Sequence, residues 1–377
     1  MKAVIAAYAR SPFHFARKGR LAEVRPDTLA AQVVQGLLRR TDVDPALLED
    51  VILGCAYPEA AQGNNIARIV GLLAGVPHEV GGMTVNRFCG SSMQAVHIAA
   101  AQIEAGMGEA ILCVGVESMT MVPQGGFNFS PNPELKASTA AYISMGETAE
   151  NVARRWNVSR ADQELLALQS HQKATAAREE GRLKDEIVPI VLPDGEVVDA
   201  DGCIRPETSL EALAALKPAF GGGGVVTAGT SSPLTDGAAA VLVTSDGFAT
   251  RHGLHPQARV RSFATVGVDP SIMGIGPIPA TRKALQRAGL TVGDLDVVEI
   301  NEAFSSQALA CIRDLGLDMG TVNLDGGGLS IGHPLGATGV RITGKAAALL
   351  GRQNGRYALA TQCIGGGQGI ATVLERL

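Results

Sequence analysis

Three observations predict a layered α/β fold built from a duplicated unit. Strand and helix signals alternate over the first third of the 377 residues. The same scheme returns over the last third. The middle, from about Glu117 to Pro233, has a different character. Short apolar runs alternating with amphipathic segments are what a sheet covered by helices requires.

In the first third, Ala3–Tyr8 reads as a core strand, with Arg10 close behind it and no small-residue cleavage site, so it is not a signal peptide. Asp27 is a candidate N-cap for a helix that places Leu29, Val33, Leu37 and Leu38 on one face. Val51–Leu53 is a short strand. Asn64 or Asn65 opens a helix through Leu73, Met83–Val85 is a strand, Ser91–Ala105 an Ala-rich helix and Ala110–Val116 a buried strand. In the last third, Arg259–Val266, Asp296–Ile300, Thr321–Leu324, Tyr357–Thr361 and Gly369–Leu374 read as strands. Pro279–Ala288, Ser305–Leu315 and Ala337–Leu350 read as helices.

The thirds share landmarks. Asp50-Val51 corresponds to Asp296-Val297, Val85-Asn86 to Val322-Asn323, and Leu112–Gly115 to Leu359–Gln362. First to last landmark spans 62 residues in one copy and 63 in the other. That is a weak internal repeat. It divides the chain into one core half at 1–116 with 234–250, another at 251–377, and an insertion at 117–233. The insertion has Pro and Gly breaks, polar loops and one long charged helix near Arg160–Glu180. It is a natural place for a lid over a site.

Composition excludes several classes. An apolar fraction of 46% with 18% charged residues is that of a globular chain, not a disordered one. No apolar run approaches the roughly 20 residues that span a bilayer. A formal charge of −5 argues against nucleic acid, whose phosphates need clustered basic residues. Six cysteines are scattered without C-x-x-C pairs or metal-ligand spacing, so they read as free thiols of a reducing cytosol, mostly inert core residues.

Four segments carry chemistry. In Val85–Ala95 a strand ends, a turn follows and a helix begins, which puts Cys89 at a helix N-terminus. Unpaired amides and the helix dipole there favour the thiolate and are expected to lower the thiol pKa. In Gly327–Gly336, His333 sits in a Gly-rich loop before a helix, restrained by Pro334. Cys363 precedes Gly365–Gly367, where bare backbone amides approach a substrate oxygen. Asn301, in Asn301–Phe304, lies just past a strand's carboxyl end, the usual place for an α/β active site. Each segment alone leaves a bland alternative open: a buried Cys, a structural His, a glycine turn or a helix cap.

Together the four resemble the thiolase family in order and spacing, and the resemblance runs from Val4 to Val373. Arg205–Thr208, Thr227–Ser232 and Asp269–Gly274 look most like the 3-ketoacyl-CoA thiolases of bacterial fatty-acid oxidation. The resemblance implies two βαβαβαββ halves forming αβαβα layers, with 117–233 as a loop domain over coenzyme A. It implies that Cys89 is the acylated nucleophile, His333 its base, Cys363 the proton shuttle at the acetyl-CoA α-carbon, and Asn301 the holder of an oxyanion-hole water. The amides of Cys89 and Gly365 are the second oxyanion hole. Arg205, Ser232, Met145, Phe304 and Ala228 match coenzyme A contacts.

The implied partners are CoA and 3-ketoacyl-CoA, a further copy of the chain, and a fatty-acid oxidation multienzyme subunit. CoA is a substrate, and no metal or other cofactor is implied. The implied location is cytoplasmic. Three departures stand out. Ser144 replaces a histidine of many acetoacetyl-CoA thiolases, Ser231-Ser232-Pro233 replaces Ala-Ser-Gly, and Phe220–Gly224 is glycine-rich where relatives carry charge. A biosynthetic acetoacetyl-CoA-forming thiolase is the alternative within the family. A ketoacyl-carrier-protein synthase is disfavoured by Cys363, and a non-catalytic relative by the presence of Cys89, His333 and Cys363 together.

Overall fold

The computed structural model describes residues 1–221 and 223–377, so Gly222 of the glycine run lies outside the described residues. In chain order the first part holds β1 (Ala3–Arg10), β2 (His14–Phe15), α1 (Pro26–Thr41), β3 (Asp50–Gly54), α2 (Ile66–Leu73), β4 (Gly81–Val85), α3 (Ser91–Glu104) and β5 (Ala110–Ser118). Then come α4 (Pro133–Ser138), α5 (Met145–Arg155), α6 (Arg160–Glu179), β6 (Ile190–Val191), β7 (Val197–Val198) and α7 (Leu210–Ala214). β8 (Thr235–Ser245) and α8 (Asp246–Arg251) follow. The last part holds β9 (Ala258–Gly267), α9 (Pro277–Ala288), β10 (Val297–Ile300), α10 (Ser305–Leu315), α11 (Leu335–Arg352), β11 (Tyr357–Ile364) and β12 (Gln368–Glu375).

The strands run in the order β10-β11-β12-β9-β1-β8-β5-β3-β4. This path is two half-sheets joined edge to edge where Val4 and Ile5 pair with Arg259 and Ala258. Each half repeats one pattern. β3 pairs in parallel with β4 and β5, and β5-β8-β1 continue antiparallel. β10 pairs in parallel with β11, and β11-β12-β9 continue antiparallel. Two of the three shared landmarks, at Val51/Val297 and Leu112/Leu359, therefore fall on equivalent strands, and the third pairs the end of β4 with the single Val322 bridge.

Alternating side chains of each strand feed two different cores, as the pleat demands. Ile111 and Cys113 of β5 face a central core with α3 and α11, while Leu112 and Val114 face an outer core with α1 and α2. Ala358 and Ala360 of β11 face the central core, and Leu359 faces an outer core with α9 and α10. The result is five layers, αβαβα. Helix α11 lies in the middle and is buried from Leu335 to Leu350 except at Ala348. Close packing of α3 on α11 requires Gly339, because a Cβ there would sit 2.3 Å from the Met93 amide nitrogen.

Buried ion pairs tie residues 119–234 to the core. Arg10 at the end of β1 holds Asp201 at 2.7 Å and Glu186 at 2.8 Å, and Lys345 of α11 holds Glu186 at 2.9 Å. No helix among the described residues is long and apolar enough to cross a membrane.

Two local expectations are corrected. Thr321–Leu324 is not a strand, since only Val322 bridges Val298, and Asn323 turns away with φ of 45°. Asp27 is not the N-cap of α1. Arg25 holds that position and Pro26 opens the helix, leaving Asp27 in the first turn against the Arg25 guanidinium at 2.7 Å.

Candidate active site

Cys89 sits in a single 3₁₀ turn, Phe88–Gly90, between β4 and α3. Phe88 has φ of 43°, a left-handed conformation costing about 1–2 kcal/mol for a residue with a side chain. Local hydrogen bonds hold it there. The Phe88 amide donates to Asn86 Oδ1 at 2.8 Å, and Ser91 Oγ donates to the Phe88 carbonyl at 2.6 Å. The turn aims Cys89 into a cavity of about 600 Å³ that His333, Cys363 and Gly365 also line.

His333 comes from the loop before α11 and is buried. Its Nδ1 lies 2.6 Å from Thr338 Oγ1, which itself donates to the Pro334 carbonyl at 2.9 Å. A hydroxyl spending its proton on a carbonyl accepts from Nδ1–H, so this network assigns Nε2 as the bare nitrogen. Asn301 Nδ2 donates to it at 3.3 Å. Burial, aided by the Arg341 charge, lowers the His333 pKa to about 3. The imidazole is therefore neutral at working pH. Asn301 Oδ1 is buried without a protein partner.

The expected thiolate at Cys89 is corrected. Burial pushes its pKa up to about 11, and the Glu117 charge adds to this against the opposing Gly365 amide. The Gly365 and Cys89 amides oppose this shift without offsetting the loss of water. The thiol needs a base, and a neutral imidazole opens on the same cavity. Cys363 is also held protonated, by burial and by repulsion from Cys89.

The sequence signature described as "Thiolase, N-terminal domain" matches residues 3–247, and "Thiolase, C-terminal domain" matches residues 254–376. The chain belongs to the thiolase family. It is 48% identical over 386 residues to the 3-ketoacyl-CoA thiolase of Shewanella sp. (strain MR-7), covering 100% of both chains. The 3-ketoacyl-CoA thiolase of Erwinia tasmaniensis is also 48% identical, with 100% of both chains covered. The chain is accordingly an acyl-CoA acyltransferase of the thiolase type.

Among the coenzyme A contacts expected of a thiolase, Met145, Ser232 and Phe304 line the cavity. The Ser232 amide donates to the Ala303 carbonyl at 2.9 Å, tying residues 231–233 to the N-terminal end of α10. Arg205 and Ala228 are exposed and do not line it. The Arg205 guanidinium lies over the Phe15 ring, 5.0 Å from its centroid.

Two buried carboxylates brace the thiolase site; from the sequence Glu302 is named only within the Asn301–Phe304 segment, and Glu117 is not singled out. Glu117 accepts from the amides of Ala56 and Gly336, each at 2.8 Å, and from Gln62 at 2.9 Å. It thus links the end of β3 to the start of α11. Glu302 accepts from Asn323 Nδ2 and Ser170 Oγ, each at 2.7 Å, and pins the loop that leads to His333. A lone acid in the otherwise apolar run Ala110–Val116 and Glu117 was the available signal.

Proposed function

We propose that this chain cleaves 3-ketoacyl-CoA with CoA, giving acetyl-CoA and an acyl-CoA shortened by two carbons. The observation that carries this reading is one cavity holding two protonated thiols, a neutral imidazole with a bare Nε2, and the Gly365 turn. His333 Nε2 takes the Cys89 proton as Sγ attacks the C3 carbonyl. The amides of Cys89 and Gly365 hold the resulting oxyanion. The C2–C3 bond breaks as the carbonyl re-forms, leaving an acyl thioester on Cys89 and an acetyl-CoA enolate. His333, now protonated, and a water held by Asn301 stabilise the enolate oxygen. Cys363 gives its proton to C2, and acetyl-CoA departs. CoA then enters, loses its thiol proton to the Cys363 thiolate, and attacks the Cys89 thioester; as the C–S bond to Cys89 breaks, the leaving Cys89 thiolate recovers its proton from the His333 imidazolium, which returns to its neutral form. CoA enters and leaves as substrate, and this route needs no metal or redox group.

Met145, Ser232 and Phe304 are read as the pantetheine tunnel, with Arg205 and Ala228 reserved for the outer part of CoA. The 117–233 segment is read as the lid. A homo-oligomer is part of the same reading, supported by β4, which ends the sheet with one edge unpaired among the described strands. Association with a fatty-acid oxidation subunit and a cytoplasmic location rest on the resemblance.

The test is incubation with acetoacetyl-CoA and longer 3-ketoacyl-CoAs, followed by peptide mass spectrometry. An acyl adduct on Cys89 is expected. An adduct on Cys363 alone, or none at any chain length, overturns the reading. Relative kcat/KM across chain lengths then ranks the degradative role against the acetoacetyl-CoA-forming one.

A further inference from the structure

The Cys89 turn does not stand on its own half of the molecule. Gly90 rests on the end of β11, where a Cβ would lie 2.5 Å from Ile364 Cδ1. Arg87, just before the turn, reaches across to β12, its Nη1 donating to Gln368 Oε1 at 2.8 Å while its Nε donates to Gln94 at 2.9 Å. Gln362 of β11 donates through Nε2 to the Cys89 carbonyl itself. Gln362 and Gln368 therefore bracket the Gly365–Gly367 turn and grip the nucleophile loop from either side.

Gln362 is a costly residue for its place. It is fully buried, and its Oε1 has no hydrogen-bond partner. An apolar side chain of similar volume would leave no unsatisfied amide in this layer. Its one polar contact is the Cys89 carbonyl, which an apolar side chain could not satisfy. That contact fixes the plane of the Cys89–Gly90 peptide relative to the strand that carries Gly365. The Cys89 and Gly365 amides belong to opposite halves of the molecule, so their separation is set by whatever joins the two loops.

We propose that Gln362 is a positioning residue that holds the Cys89 loop in register with the Gly365 turn, so that the two amides converge on one oxyanion. The inference rests on the reading of Cys89 as the acylated nucleophile. It assigns Gln362 no contact with substrate. Its effect falls on the acylation step, which uses the oxyanion hole, and spares alkylation of the same sulfur, which does not.

The test compares two rates at Cys89 in the full-length protein: acylation by a 3-ketoacyl-CoA and alkylation by iodoacetamide, both followed by peptide mass spectrometry. The variants are Gln362→Met and Gln362→Leu, which keep bulk and remove the donor. The ratio of acylation to alkylation is expected to fall by at least about fivefold, the equivalent of one ordinary hydrogen bond. KM for CoA is expected to stay within about twofold. A ratio falling by less than fivefold overturns the inference. So does loss of the fold in both variants, which would make Gln362 a structural residue. A wild-type protein that alkylates at Cys89 but is acylated by no 3-ketoacyl-CoA overturns the functional reading, and this inference with it.

Discussion

The two halves share a strand order and differ in the loops they carry at the carboxyl ends of their strands. In the first half, β4 passes through the 3₁₀ turn at Phe88–Gly90 into α3 and presents Cys89. In the second half, the Val322 bridge passes through a longer loop into α11 and presents His333. The contrast is larger at the next connection. β5 and β8 are separated by residues 119–234, whereas β11 and β12 are joined by Gly365–Gly367 alone. One copy of the fold thus carries a long insertion, and the other carries a bare turn whose Gly365 lines the cavity. The two frames are similar, and what each presents to the cavity differs through its loops.

If the two loops are parts of one machine, breaking either should cost about as much as breaking both. Cys89→Ala is expected to lower thiolysis by at least about 10³-fold with the fold intact by circular dichroism. His333→Ala is expected to cost about 10²–10⁴-fold. Adding it to Cys89→Ala should cost nothing further, and a multiplicative double variant would separate the loops again.

The His333 variant also has a pH signature. The Cys89 thiol, pushed up to about 11, is protonated at neutral pH. Without a base, its alkylation should rise about tenfold per pH unit up to about pH 11. In the wild type, His333 is neutral above about pH 3, so alkylation should show no acid limb near 6.5. A limb there would contradict the buried, neutral imidazole.

The seam between the halves is tested by His97 of α3. It stacks on Phe263 of β9 at 4.4 Å and bonds Thr372 of β12 at 2.8 Å. His97→Ala is expected to cost about 2–3 kcal/mol in denaturant titrations, the range for emptying a well-packed site. Burial lowers its pKa to about 3, so it is neutral when folded and takes up a proton on unfolding below about pH 6.5. The unfolded state binds more protons in that window, and stability falls as pH drops from 6.5 towards 3. The variant should flatten this slope between pH 6.5 and 5.

The smallest effect lies in the insertion. Ser144 caps α5 in a capping box with Glu147. Ser144→Ala is expected to cost about 1 kcal/mol, read as a lower melting temperature.

The periodicity of the chain carried the layers well, because burial on one face writes itself into residue spacing. The predicted helix at Ser305–Leu315 matches α10, and the landmarks at Val51/Val297 and Leu112/Leu359 fall on equivalent strands. The failures have a common cause. Thr321–Leu324 has the spacing of a strand, but Glu302 and Asn323 bend the chain away after a single bridge. The Cys89 pKa was misjudged because a helix N-terminus is a local feature, whereas desolvation depends on everything packed around the sulfur. Gln362 and Glu117 were passed over because a polar residue at a strand's end declares its partner only across the fold.

By itself the sequence determined the α/β class, the repeat, the family resemblance and the four segments that carry chemistry. Each of these is written in neighbouring residues. Only the tertiary structure decided that Cys89 and Cys363 are protonated, that His333 is neutral with Nε2 unprotonated, and that the Cys89 loop is gripped by the opposite half. Protonation follows from burial, and the grip on the Cys89 loop from contacts such as Gln362 to Cys89, 273 positions apart, neither of which a local pattern encodes.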